Sequence, residues 1–148
     1  MLLMPQRLLS SMVRRTQSPR TGCSLVPRTN VPLAFVPETQ ELLLGCRTPA
    51  TALLLNATDG SEIAAVPSSP GADDIFYDAT TRRAYVIAGS GAIDVLELSG
   101  GKLRNIGKVE TAPGAKTGLL IPALHQLFVG IPSGGSQSSQ VRIFSTQH

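Results

Sequence analysis

The chain has 148 residues, 42% of them hydrophobic, with 14 glycines, 11 prolines, two cysteines and a formal net charge of +3. That length suits one folded domain. No run approaches the roughly 18 apolar residues of a membrane-spanning helix, and two cysteines are too few for a disulfide framework or a zinc centre. The positive charge is local: Arg7, Arg14, Arg15, Arg20 and Arg28 precede the first acidic residue, Glu38, and from Val31 onward 8 basic residues face 10 acidic ones. The folded part therefore carries no basic stripe with interleaved aromatics, which argues against nucleic acid as a partner.

Residues 1–30 are rich in Arg, Ser and Leu and show neither heptads nor strand alternation. They form a basic leader, expected to lack structure of its own. Pro5, Gln6 and Arg7 interrupt the longest apolar run, which weakens a secretory signal. The composition resembles an organellar transit peptide, and an incorrectly placed gene start is the remaining reading.

Three similar units follow, over about 31–72, 73–115 and 116–148. Leu33–Leu44, Ile75–Val86 and Gly118–Val129 superpose without gaps, at offsets of 42 and 43 residues. In the first unit the pattern predicts strands over Leu42–Cys46, Thr51–Leu55 and Glu62–Val66, with a turn around Asn56–Gly60. Ala52-Leu53-Leu54-Leu55 is a continuous apolar run, as suits a strand buried on both faces. The second unit predicts strands over Asp74–Asp78, Arg83–Ala88, Ala92–Leu98 and Leu103–Glu110. Gly89-Ser90-Gly91 and Ser99-Gly100-Gly101-Lys102 supply the turns, where glycine tolerates positive φ. The third predicts Gly118–Ile121, Leu127–Ile131 and Val141–Phe144, with a Ser/Gly loop over Pro132–Gln140 and no fourth strand.

A period in the low forties built of short strands marks propeller blades. The expected fold is all-β: about three four-stranded antiparallel blades, a partial β-propeller behind the leader. Cys23–Pro27 offers the nearest strand to complete the last blade, although Pro27 makes it a poor one. Propellers typically use four to eight blades, so three leave apolar faces open to self-association. Either two copies pair into a six-bladed ring, or the chain is a fragment of a longer propeller, the latter preferred.

Phe76-Tyr77-Asp78-Ala79 followed by Ala84-Tyr85-Val86 resembles the YVTN-type β-propeller repeat of bacterial surface and periplasmic proteins. Thr111–Gly118, Leu127-Phe128-Val129, Val141–Phe144 and Gly45–Ala50 are similar to the C-terminal blades of YncE-like members. The match covers about residues 31–148. What the resemblance implies is a seven-bladed binding scaffold, usually exported, with no agreed chemistry. The family also borders on a lactonase group, so a propeller hydrolase remnant is the catalytic alternative.

Pro70-Gly71-Ala72 and Pro113-Gly114-Ala115 recur 43 residues apart, each leading into an innermost strand. The residues after them, Asp73, Asp74, Lys116 and Thr117, are expected at the channel mouth, joined by Arg47 as an anion contact. This is the candidate ligand site, for a small molecule or a protein. The plainer alternative makes the carboxylates turn caps paired with Lys116, and gives Arg47 to Glu41 or Asp59. Paired carboxylates suggest a hard cation, but such a site needs six to eight oxygens, and no metal site is assigned. His125 falls at a hairpin tip, in the place of Gln40 and Arg82, and His148 ends the chain. Cys46 ends a strand where Ala88 and Ile131 stand in the sister units, as a buried apolar side chain. No serine sits in a Gly-x-Ser-x-Gly elbow, Ser133-Gly134-Gly135-Ser136 lacks the Lys of a phosphate loop, and no catalytic residue or cofactor is assigned.

Overall fold

A computed structural model describes residues 29–146. Most of the leader, together with Cys23–Pro27 and His148, lies outside the described residues. Among the described residues, eleven strands form three antiparallel sheets. The first holds β1 (Asn30–Val36), β2 (Glu41–Arg47), β3 (Ala50–Asn56) and β4 (Glu62–Pro67), in that spatial order. The second repeats it with β5 (Ala72–Asp78), β6 (Arg83–Ala88), β7 (Ala92–Ser99) and β8 (Lys102–Glu110). The third has β9 (Thr117–Ile121), β10 (Gln126–Ile131) and β11 (Gln140–Ser145). Each is a meander of hairpins, the simplest way to pair consecutive strands.

The strands from β2 onward lie close to where the residue pattern predicts them, and β1 comes in addition, at the place of β5 in the superposed units. β5 begins at Ala72, two positions early, because Ala72 pairs with Ala88 beyond a bulge. The equivalence of the three units extends to backbone conformation. Gln40, Arg82 and His125, the matched residues of the first hairpin in each unit, are left-handed, at φ 54°, 54° and 51°. Each of these side chains accepts a conformation that ordinarily costs about 1–2 kcal/mol. His125 thus serves a turn, its amide donating to the Pro122 carbonyl at 3.0 Å.

Two apolar layers hold the sheets together. Val36, Leu43, Leu54, Ile75, Val86 and Leu96 fill the space between the first and second sheets. Tyr85, Ile87, Ile93, Leu127, Val129 and Ile131 fill the space between the second and third. Ala52, Leu53, Leu54 and Leu55 are all buried, as the continuous apolar run requires. Full burial of each such Leu or Ile is worth about 1.5–3 kcal/mol, so these layers dominate stability. The inner strands are adjacent: β5 lies against both β1 and β9.

Two buried carboxylates tie loops to this frame. Asp94, 2% exposed in β7, accepts hydrogen bonds from the amide and hydroxyl of Ser69 in the connection between the first two sheets. Asp78, fully buried at the end of β5, accepts the Thr80 amide at 2.9 Å and the Thr80 hydroxyl at 2.6 Å. Burial alone would raise the Asp78 pKa, but hydrogen bonds from Thr80 and then Thr81 together outweigh it and hold the carboxyl below its ordinary value of 3.8. A depressed folded pKa means that the stabilisation is complete above the unfolded value and is lost as pH falls through the folded one. Urea midpoints measured from about pH 6 down to about pH 2 should therefore drop less steeply for Asp78→Asn than for the natural chain below about pH 4. Equal slopes would show that Asp78 does not contribute to acid unfolding.

Candidate functional site at the channel mouth

The expected site residues come from corresponding ends of the three sheets. Arg47 closes β2, Asp73 and Asp74 open β5, and Lys116 and Thr117 enter β9. Backbone hydrogen bonds hold these ends in register: the Gly89 amide donates to the Gly71 carbonyl at 2.7 Å, and the Gly114 amide to the Gly89 carbonyl at 2.8 Å. Gly71 and Gly114, the repeated glycines, have φ of 79° and 83°, which a side-chain-bearing residue rarely adopts. The Pro-Gly-Ala repeat is thus the device that turns each chain segment into its inner strand.

Asp73 and Lys116 flank Gly89, and Arg47 joins them through Asp73. The Arg47 guanidinium forms an ion pair with Asp73 and also donates through Nε to the Ala72 carbonyl at 3.2 Å. The Asp73 side chain is 9% exposed and that of Arg47 is 38% exposed. A methyl group on Gly89 would lie 2.7 Å from Asp73 Oδ2 and 3.4 Å from Lys116 Cε. A cation, an anion and a cation thus succeed one another across the three sheets, with the anion in the least exposed position. Arg47 is paired with neither Glu41, at the other end of β2, nor Asp59.

The two aspartates diverge. Asp74 Oδ2 accepts the Gly118 amide of β9 at 3.2 Å, and its Oδ1 accepts the Ile75 amide at 3.0 Å. Asp74 is therefore a strut between the second and third sheets. Thr117 is exposed and pairs through its backbone with Gly130. With Lys116, Gly114, Pro132 and Gln140 it borders an open groove of about 630 Å³. No group of three or more His, Cys, Asp or Glu side chains suited to a metal ion occurs among the described residues.

Sequence reasoning passed over a second cleft, of about 370 Å³, at the opposite end of the same strands. Val36, Leu54 and Leu98 form its floor, and Glu38, Tyr77 and Lys102 its sides. Burial first, then the neighbouring Glu38 carboxylate, pushes the Tyr77 phenol above its usual pKa. The residues come from three hairpins of two units, a combination no single stretch of sequence displays. The only local signal was the charge on Glu38 and Lys102 at turn positions.

Solved structures share this arrangement of sheets. Hydrazine synthase of Kuenenia stuttgartiensis superposes with a TM-score of 0.69 at 18% identity, covering 78% of this chain and 34% of that one. The Cps50 (Swd1) β-propeller domain of Myceliophteria thermophila gives 0.61 at 12% identity, covering 80% and 38%. The chain is a partial β-propeller. A putative 6-phosphogluconolactonase from Bacteroides uniformis gives 0.62 at 15% identity, covering 80% and 37%. At these identities the likeness concerns the fold alone, and this propeller spans just over a third of each neighbour's length. No protein-family model matches the propeller, and no curated protein matches it significantly. Its three sheets are blades, β1, β5 and β9 are their innermost strands, and the Arg47–Asp73–Lys116 group sits where those strands begin.

Proposed function

We propose that this chain is a non-catalytic binding module that receives the anionic group of a small molecule or protein at the channel mouth. The observation that carries the reading is the succession of Arg47, Asp73 and Lys116 from three blades, with Arg47 paired to Asp73 and both Asp73 and Lys116 beside Gly89. Asp73 occupies the Arg47 guanidinium, which fixes that side chain in place. Lys116, exposed at the start of β9, is left to meet the ligand, with the Thr117 hydroxyl next to it. The resemblance of the Phe76–Ala79 and Ala84–Val86 phrases to YVTN-type repeats supports a place among those binding scaffolds, within a larger propeller and exported as they usually are. The lactonase alternative rests on family proximity and on a neighbour of 15% identity, which conveys fold and not chemistry.

Titration of the chain with inorganic phosphate and with a small dicarboxylate, followed by amide NMR, tests the proposal. Saturable shifts should appear at Gly89, Lys116 and Thr117, and Lys116→Ala should abolish them. Titrations that leave those amides unmoved would refute it. Micromolar Ca²⁺ should leave the melting temperature unchanged, because Asp73 and Asp74 face different partners. A clear rise would reinstate them as cation ligands.

A further inference from the structure

The cleft at the far end of the strands from the channel mouth has walls of opposite charge. The first blade lines it with Glu38 and Glu41, and the second with Arg82 and Lys102. Val36, Leu54 and Leu98 make the apolar floor between them, with Tyr77 near Glu38. Glu41 is 9% exposed and accepts a hydrogen bond from the Thr39 hydroxyl. Arg82 and Lys102 are exposed. Among the described residues, neither carboxylate forms an ion pair with either cation. A carboxylate held out of water is costly unless a cation or enough donors reach it. Thr39 supplies Glu41 with one donor, and a carboxylate can accept about four.

The repeat does not require these charges. At an offset of 42, Glu38 and Glu41 correspond to Thr80 and Arg83 of the second blade. At an offset of 43, Tyr77 corresponds to Leu120 of the third. Where the second and third blades meet, the cavity lined by Tyr85, Leu127 and Phe144 holds about 60 Å³, against about 370 Å³ here. The cleft is thus particular to the first two blades. Nothing crowds it at Gly100 in the outer hairpin, where a methyl group would meet no atom within 4 Å.

We propose that this cleft binds a short zwitterion whose ammonium and carboxylate are held apart by an apolar chain. The ammonium meets Glu41 and Glu38, the chain lies on Val36, Leu54 and Leu98, and the carboxylate reaches Lys102 and Arg82. Walls that do not pair with each other call for separated charges, so an ω-amino acid fits better than an α-amino acid. The volume of about 370 Å³ falls within the range of small-molecule pockets, roughly 300–1,000 Å³. The proposal is independent of what the channel mouth binds.

6-Aminohexanoate, hexylamine and hexanoate share one apolar chain and differ in charge, so titrating the full chain with each tests the proposal. The protein has two tyrosines and no tryptophan, which makes tyrosine fluorescence a usable readout. 6-Aminohexanoate should change it saturably, and Tyr77→Phe should remove the change. Hexylamine and hexanoate should each bind about fivefold more weakly, the worth of one exposed ion pair. Lys102→Gln should weaken 6-aminohexanoate by about the same factor and leave hexylamine unaffected. Glu41→Gln should weaken 6-aminohexanoate and hexylamine and leave hexanoate unaffected. Should that variant fail to fold, Glu38→Gln makes the same comparison. Lys116→Ala should change none of these affinities. A response lost with Lys116→Ala would belong to the channel mouth and overturn the proposal. So would the absence of saturation, equal affinity for the three compounds, or variants that weaken all three alike.

Discussion

Leu54→Ala should lower the unfolding free energy by about 2–5 kcal/mol, and the melting temperature by roughly 10 °C or more in a domain of this size. Leu54 is 1% exposed in the middle of β3, flanked in register by Leu43 on β2 and Ala64 on β4. It belongs to the layer it shares with Ile75, Val86 and Leu96 of the next blade. Leu54 packs between the two sheets beneath the Tyr77 cleft, and a cavity left there adds to the lost transfer energy. Urea unfolding of both proteins measures the difference. A loss below about 1 kcal/mol would mean that the first two blades shift to close the gap.

Gly118→Ala should cost about 1–3 kcal/mol through overpacking, although it adds a single methyl group. That methyl would fall 2.4 Å from Ile87 Cδ1, 2.9 Å from the Phe128 carbonyl oxygen and 3.1 Å from Phe76 Cε2. Ile87 can rotate away at some cost in rotamer strain, but the Phe128 carbonyl belongs to the neighbouring strand and cannot. Movement of β9 away from it would stretch the Gly118 amide bond to Asp74, which joins the second and third blades. Loss of protection in β9–β11 before the rest of the chain, read by hydrogen exchange, would locate the damage there. Uniform loss, or none, would show that Gly118 is not a point of close approach. Gly130, in the partner strand, provides the contrast: a methyl there would meet nothing nearer than 3.6 Å.

Local pattern was enough for the strands, because hydrophobic alternation and Gly-rich turns act over a few residues. It was also enough for the repeat, whose matched hairpin residues Gln40, Arg82 and His125 prove to share a left-handed backbone in the structure. Of the candidate site, local pattern supplied the identities of Arg47, Asp73, Asp74, Lys116 and Thr117 and their places at strand ends. It did not supply their partners. Two adjacent aspartates read alike along a chain, yet alternate side chains of a strand point to opposite faces. Only the packing of three sheets sends Asp73 to Arg47 of the blade before and Asp74 to Gly118 of the blade after. The same reason hid Asp94: between Ile93 and Val95 it reads as an interruption, until the loop carrying Ser69 folds over it. The cleft at Tyr77 was also beyond local pattern, because Glu38 and Tyr77, about forty positions apart, meet only when blade packs on blade.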